Sequence, residues 1–359
     1  MKTSYIRAGS AGGPRWTRLR PWILVFSTEK LGFLPVLKFD GDPAEVHRDP
    51  ALFPEAAAQG NLIGVDLPNA AFLPNGQDGI TIGGSNNVVG GTLAGEGNVI
   101  AGNTRFGMDV WSGGVNNFIT GNSFYNNGSF GIDLGADTQD TNDPLDVDGG
   151  ENGHQNYPLL SMAVSAGGNT QITGTLNSAA NKAYRIEFFS SPTPDPSGWG
   201  EGKVYLGALT GITTNGTGTA NFTANLTGVS VTPGHVVSAT ATDPALNTSE
   251  FSATRSVTAG FNITGTVFED VNYGGGAGRS KTTALSNGGT GRSNARVELF
   301  DGSGNYVTFT TTNASGDYSF TGLFPATYTV RVLNSTVSSS RSGILSLPKK
   351  VLLVSNTVS

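Results

Sequence analysis

The stretch that decides the fold is Asn98-Val99-Ile100-Ala101-Gly102-Asn103, in which two apolar residues follow an asparagine and a glycine closes the run. The same form, Asn-apolar-apolar-x-Gly followed by Asn or Gly, recurs at residues 87–91 and 117–122. A second motif, Gly-apolar-polar-apolar, alternates with it at intervals of about 24 to 28 residues, at 79–82, 107–110 and 131–134. Such an interval is typical of a solenoid. Each run is short and ends in Gly or Asn, which accept the positive φ of a sharp corner, so we predict a repeat of short β-strands.

The second motif also predicts which side chains face the interior, because side chains alternate between the two faces of a strand. We expect Thr81, Asp109 and Asp133 to point outward. The apolar residues beside them then point into the repeat: Ile80, Ile82, Met108, Val110, Ile132 and Leu134. Parallel strands of successive repeats share backbone hydrogen bonds, and equivalent corner asparagines can bond one another as stacked amides do. Asn87 and Asn117 are the candidates for such a ladder.

Residues 61–134 resemble the right-handed parallel β-helix repeats of large bacterial secreted and surface proteins. The resemblance implies a β-helix domain over residues 59–136, of which about three coils are visible. The repeat is already in progress where it first becomes recognisable, and residues 1–58 do not share it. We therefore expect the C-terminal end of a longer helix, preceded by an irregular N-terminal segment.

Composition supports an exported, all-β protein, which agrees with the resemblance to bacterial surface solenoids. The chain has 52 Gly in 359 residues, 13% charged residues and no Cys, which excludes disulfides and thiolate metal sites. Its net charge is −6 and no basic stripe is present, so nucleic acid is not an expected partner. No apolar run is long enough to span a membrane, and no secretion signal is visible. The expected location is extracellular or on the cell surface.

An acidic junction is predicted between residues 137 and 156. Four of its carboxylates, spaced two or three residues apart on a glycine-containing loop, are candidate Ca²⁺ ligands: Asp140, Asp143, Asp146 and Asp148. Ca²⁺ takes six to eight oxygen ligands in flexible geometry, which suits such a loop. The alternative is a solvated acidic linker without a metal.

Two β-sandwiches are predicted after the junction. Residues 157–258 contain alternating or apolar runs separated by Gly, Pro and Asn turns, a spacing that suits an Ig-like sandwich. Within it, residues 239–252 resemble the last strands of bacterial Ig-like modules, in which a turn with Asp and Asn precedes a Ser-Glu-Phe strand. A further module occupies residues 261–335, and we expect an irregular tail over residues 336–359.

The run from Gly316 to Leu323, followed by Tyr328-Thr329-Val330, carries a second resemblance. It is similar to the prealbumin-like sandwich of carboxypeptidase regulatory-like domains and of the B modules of serine-aspartate-repeat surface proteins, a carbohydrate-binding-like fold. In those B modules a loop after the first strand binds calcium. The resemblance implies Asp270 and Asn272 as ligands here, although Gly274 stands where a third ligand would fall.

These features favour a structural or adhesin-like surface protein, in which the β-helix presents a surface for glycans or partner proteins and the sandwiches act as spacers. The alternative is a fragment of a carbohydrate-active β-helix enzyme, a polysaccharide lyase or a glycoside hydrolase. Asp109 and Asp133 are its candidate catalytic residues, because equivalent positions of adjacent parallel strands lie about 5 Å apart, near the spacing of a retaining glycosidase pair. The absence of a nearby His or Asp-Asp pair makes catalysis the less favoured function.

Overall fold

The computed structural model describes residues 5–6, 23–24, 56–66, 71–135, 139–270, 280–338 and 353–358. Their regular structure is almost entirely β, as the sequence predicts. The chain divides into two compact units, Met1–Ala163 with Asn169–Thr258, and Val164–Gly168 with Ala259–Ser359. Most of the predicted irregular segment 1–58 lies outside the described residues. Within that segment, β1 (Tyr5–Ile6) and β2 (Ile23–Leu24) form an antiparallel pair.

The first unit begins with nine short strands that form three parallel sheets, ordered β3-β6-β9, β4-β7-β10 and β5-β8-β11. Each sheet takes every third strand, so three consecutive strands, one from each sheet, form one layer, and the chain passes through three layers. We call this region the parallel stack. Its last layer is β9, β10 and β11. The strands are β3 (Ala56–Ala58), β4 (Leu62–Ile63), β5 (Ile80–Ile82), β6 (Asn87–Gly90), β7 (Val99–Ala101), β8 (Met108–Val110), β9 (Phe118–Thr120), β10 (Ser123–Tyr125) and β11 (Ile132–Leu134).

The predicted interior of the parallel stack is confirmed. Ile80, Met108 and Ile132 are register partners in successive layers, and all six apolar side chains expected inside belong to one buried cluster. Close approach of the layers requires the glycine before β5 and the one before β8. A Cβ on Gly107 would lie 2.6 Å from the carbonyl oxygen of Gly131, closer than real Cβ contacts.

The prediction that the polar residues of the same motif face solvent is wrong. Thr81, Asp109 and Asp133 are 9%, 4% and 0% exposed. Arg105 lies over this sheet and forms ion pairs with Asp78 and Asp109, which covers the middle strand. A side chain that points away from the stack interior is therefore not necessarily exposed, because other parts of the chain pack over it.

Asparagine ladders join the layers at three corners. The predicted bond between Asn87 and Asn117 is present, with Nδ2 to Oδ1 at 2.8 Å. In each rung between layers, one side-chain oxygen accepts both the backbone N–H and the side-chain amide of the asparagine in the preceding layer. All of these asparagines are buried, so the rungs satisfy polar groups that would otherwise be costly to bury. The other two ladders are Asn61–Asn98–Asn122 and Asn75–Asn103–Asn127.

A β-sandwich completes the first unit, as the sequence predicts. One sheet contains β16, β13 and β12 in that order, and the other is ordered β15-β14-β17-β18. Ile172 of the first sheet and Phe188 of the second lie in one buried core. A 3-10 helix (Glu151–His154) precedes the strands β12 (Leu159–Ala166), β13 (Asn169–Asn177), β14 (Ala183–Ser191), β15 (Val204–Thr213), β16 (Thr219–Leu226), β17 (Val236–Thr242), β18 (Arg255–Ser256) and β19 (Thr258–Ala259).

The second unit is also a sandwich. Ile263 and Phe320 of the β20-β25 sheet share a core with Val297 and Leu299 of the sheet β24-β23-β26-β27. The last strand lies within residues 336–359, where the sequence predicts an irregular tail. The elements are β20 (Phe261–Thr266), β21 (Phe268–Glu269), α1 (Lys281–Ser286), β22 (Thr290–Gly291), β23 (Arg296–Asp301), β24 (Tyr306–Thr311), β25 (Asp317–Leu323), β26 (Ala326–Val332), a 3-10 helix (Asn334–Thr336) and β27 (Leu353–Val358). Across the described part of the chain, no helix has the length and apolar character needed to cross a membrane.

Candidate functional site

The most elaborate polar arrangement lies where the first sandwich meets the last layer of the parallel stack. An outermost strand leaves backbone N–H groups without a neighbouring strand, and buried groups of this kind need other partners. The N–H of Ile119 donates to Thr248 Oγ1 at 3.0 Å, and the N–H of Phe124 donates to the Gly202 carbonyl at 2.9 Å. Sandwich residues thus complete the hydrogen bonds of the last layer. We call this contact region the joint.

Three buried glutamates of the sandwich form the centre of the joint. Glu187 is 1% exposed, Glu201 6% and Glu250 1%. Glu187, on β14, accepts the Gly121 N–H at 2.9 Å and is paired with Arg185 at 2.8 Å. The arginine balances its charge, as burial of a carboxylate requires.

Glu201 occupies the place of the next rung of an asparagine ladder. Its Oε1 accepts the side-chain amide of Asn127 at 2.6 Å and the backbone N–H of the same residue at 3.2 Å. The asparagines of earlier layers donate the same pair of bonds to the asparagine of the next layer. Burial, and then the negative charge of Asp195, raise the pKa of Glu201 to about 7.

Glu250 joins the end of β11 to the acidic junction. Its Oε1 accepts the Leu134 N–H at 3.1 Å, and its Oε2 accepts the Asp140 N–H at 2.8 Å. Burial, and then the nearby negative charge of Asp140, raise the pKa of Glu250 to about 9. The side chain therefore fixes two backbone segments at once in a largely water-free environment.

Aromatic side chains close the apolar end of the stack at the same place. Phe251 and Phe189 come from the sandwich, yet they belong to the buried cluster of the parallel stack. The Phe251 ring is edge-on to Phe124 of the last layer, with centroids 5.6 Å apart, and to Phe189 at 5.2 Å. The two regions therefore share one continuous core.

The acidic junction brings three of its four predicted ligands together. Asp143, Asp146 and Asp148 each offer a carboxylate oxygen within 4.8 Å of the others. Asp140 is not in this group, and its Oδ1 lies 3.1 Å from Nδ1 of His154. Burial disfavours a charged imidazole, but Asp140 and then Glu151 outweigh it and raise the pKa of His154.

Hydrogen bonds already hold the acidic loop in shape. Asp146 accepts the Asn156 N–H at 2.8 Å and the Ser178 hydroxyl at 2.7 Å, and Asp143 accepts the Val147 N–H at 3.1 Å. Burial, and then the charges of Asp148 and Asp143, raise the pKa of Asp146 to about 6 in spite of these bonds. A cation would relieve this repulsion, so Ca²⁺ binding by the three grouped carboxylates remains a proposal, which a titration described below tests.

Asp109 and Asp133 are directly opposite each other in adjacent parallel strands, as the enzyme alternative requires. Both are buried, however, and Asp109 Oδ2 lies 3.1 Å from the Arg105 guanidinium. A glycosidase pair needs access to a polymer substrate on both carboxylates. In this arrangement neither carboxylate offers that access.

The remaining predicted metal ligands are Asp270 and Asn272 in the second unit. Asp270 is half-buried after β21, and Asn272 lies outside the described residues.

Sequence patterns did not identify the three glutamates of the joint as functional. The available signal is a charged residue inside an otherwise buried run, as in Ile186-Glu187-Phe188 and Ser249-Glu250-Phe251. That signal marks a buried carboxylate but does not name its partner, which lies more than 60 residues away in each case.

Comparison with solved structures gave matches of low similarity. The major pilin subunit of Bacillus cereus is 11% identical, with 57% of this chain and 66% of that chain covered and a TM-score of 0.28. The backbone pilin of serotype M6 Streptococcus pyogenes is 12% identical, with coverage of 56% and 52% and a TM-score of 0.26. The chain thus spans less than two thirds of the length of either pilin.

Comparison with curated proteins gave no match. Comparison with protein families gave a match that falls in the second unit: residues 261–343, which include strands β20 to β26, match the SdrD B-like domain.

Proposed function

We propose that this chain is a structural segment of a modular bacterial cell-surface protein, in which the parallel stack and the first sandwich act as one rigid element. The observation that carries the proposal is the joint. Glu187, Glu201 and Glu250 bond the last layer from inside the sandwich, and Phe251 extends the core of the stack. Separating the two regions would expose this core to water and exchange each of these hydrogen bonds for one to water, which costs about 0.5–1.5 kcal/mol for each bond.

The cell-surface location rests on the second unit and on composition. The match of residues 261–343 to the SdrD B-like domain supports a surface module. The absence of cysteine agrees with a solenoid that is stabilised by stacked layers instead of disulfides. Within this proposal the second unit serves as a spacer.

The parallel stack is, in our proposal, the end of a right-handed parallel β-helix. Support comes from the three in-register parallel sheets, from the asparagine ladders and from the repeat interval of the sequence. Such a helix would present its outer faces to glycans or to partner proteins, and those are the ligands we propose for it. A glycan array probed with the full chain tests this part of the proposal.

Mechanical unfolding of single full-length molecules tests the rigid element. We expect the parallel stack and the first sandwich to unfold in one event, because they share a core. A Phe251→Ala variant should lower the force of that event. The proposal is wrong if the sandwich unfolds at its own force, before the stack and without any effect of Phe251→Ala.

The enzyme alternative has a separate test. Because Asp109 and Asp133 are buried, we expect the purified chain to release neither reducing ends nor unsaturated products from pectin or alginate. Turnover that disappears in Asp109→Asn or Asp133→Asn would establish the alternative in place of our proposal.

A further inference from the structure

Strand β24 is an open edge of the second unit. In the sheet β24-β23-β26-β27 it pairs with β23, and no other described strand is hydrogen-bonded to it. An edge of this kind presents a row of backbone N–H and C=O groups to any strand that can reach it.

The register shows which backbone groups face that open edge. The Thr312 N–H donates to the Ala295 carbonyl at 3.0 Å, so Thr312 bonds toward β23. Hydrogen-bonded and non-hydrogen-bonded positions alternate along an antiparallel pair, so Thr310 also bonds toward β23, whereas Phe309 and Thr311 direct their N–H and C=O groups outward. A register shift places one extra residue, Val307, near the start of the strand. The regular part of the edge is therefore 308–312, and its middle residue is Thr310.

The composition of β24 does little to protect this edge. Tyr306–Thr311 contains no charged residue and no proline, which natural edge strands commonly use to prevent pairing. Its residues are aromatic or β-branched, types that favour strands. Tyr306 is 51% exposed and Phe309 48%. The extra residue at Val307 is the one protective feature that the described edge contains, and it affects one end.

The Phe309 ring is held in a fixed position on the outer face of the sheet. The guanidinium of Arg296 lies 3.8 Å from its centroid, and Arg296 is itself paired with Glu298 at 2.9 Å. Nearly half of the surface of Phe309 nevertheless remains in water. A fixed and exposed aromatic side chain beside an open edge is characteristic of an interaction surface.

We propose that β24 pairs with β24 of a second copy of this chain, antiparallel, about a two-fold axis that passes through Thr310. Self-pairing fits because Phe309 and Thr311, whose backbone N–H and C=O groups face the open edge, lie symmetrically about Thr310. In the pair, Phe309 of each copy is the hydrogen-bonded partner of Thr311 of the other. The uncharged strand brings no like charges together. Each Phe309 then lies diagonally across from its copy, about 7–8 Å away, within reach of ring contact.

The full chain has no cysteine, so one introduced cysteine reports the pairing directly. Thr310→Cys meets its copy at a non-hydrogen-bonded position, where the Cα atoms are about 4.5 Å apart and a disulfide fits. Thr308→Cys is the matched control on the same strand, because it lies four residues from its copy, roughly 14 Å away. Under mild oxidation we expect a covalent dimer with Thr310→Cys and not with Thr308→Cys. Equal cross-linking of both variants would contradict the proposed register.

A proline variant tests the hydrogen bonds of the pair. Thr311→Pro removes an outward donor and leaves the bonds to β23 in place, as an edge strand tolerates. Sedimentation equilibrium should show that the dissociation constant of the wild-type dimer rises about tenfold or more, because each copy loses one hydrogen bond. The thermal unfolding curve of the variant shows whether the fold is retained. The proposal is overturned if the wild-type chain stays monomeric up to its solubility limit and Thr310→Cys gives no dimer. That result would also be expected if β24 bound a different protein and not a second copy.

Discussion

Glu201→Gln should change how the stability of the protein depends on pH. The glutamate is buried against Asn127, and burial raises its pKa from the usual 4.5 to about 7. A carboxyl with a raised pKa binds more protons in the folded state than in the unfolded state between these two values. Its contribution to stability is therefore fully present below pH 4.5 and is lost as the pH rises through 7.

The magnitude follows from the same two values. Each pH unit between 4.5 and about 7 lowers the free energy of unfolding by about 1.4 kcal/mol, so the wild-type chain loses about 3 kcal/mol through this group by pH 7. Glutamine keeps the carbonyl oxygen that accepts the Asn127 amide but cannot ionise. The variant should therefore be more stable than the wild type at pH 7.5, by up to about 3 kcal/mol, and should show little advantage at pH 4.5.

Urea unfolding of both proteins at half-unit steps from pH 4.5 to 7.5 measures this difference. Glu96→Gln, which makes the same chemical change at a half-buried carboxyl outside the joint, is the control. Parallel pH profiles for the wild type and Glu201→Gln would refute the reasoning, because they would mean that Glu201 ionises equally easily in the folded and unfolded chain.

Three further predictions concern the stack, the joint and the acidic loop. Met108→Asp places an unpaired charge in the middle layer and should abolish the cooperative unfolding transition of the first unit, as followed by circular dichroism on heating. Phe251→Ala should lower the free energy of unfolding of that unit by about 3–5 kcal/mol, and a loss below about 1 kcal/mol in urea titration would mean that the shared core contributes little. If the acidic loop binds Ca²⁺, calorimetric titration should give heat with the wild type and none with the combined changes Asp143→Asn, Asp146→Asn and Asp148→Asn, whereas no heat with either protein would indicate a solvated loop.

Local periodicity predicted the interior of the stack well, because it depends only on neighbouring residues and on stacking of like on like. Ile80, Met108 and Ile132 needed only the alternation of a strand, and the bond from Asn87 to Asn117 needed only equivalent corners. The same reasoning failed for Asp109. A pattern along one strand gives the direction of a side chain but does not reveal that Arg105 lies over it.

The joint could not be predicted from the sequence for a related reason. Glu201 follows a Pro- and Gly-rich segment and resembles an ordinary loop carboxylate, and its ladder partner Asn127 lies 74 residues earlier. Glu250 belongs to a Ser-Glu-Phe segment that the sequence predicts as a strand and that is irregular in the structure. Its role depends on the end of β11 being next to it in space. Partners of this kind are set by how two domains dock, and periodicity within one domain contains no information about that.

The asparagine ladders also bear on how this protein can change its length during evolution. Every rung between two layers is the same bond between two asparagines, so the rungs do not distinguish one layer from another. The number of residues between successive rungs varies from 24 to 37 without loss of the bond, so the intervening loops can be lengthened freely. Unequal recombination that duplicates or deletes one whole layer therefore preserves the asparagine rungs, including the one to Glu201 at the end. The length of the parallel stack can thus change during evolution by whole layers while the fold stays intact.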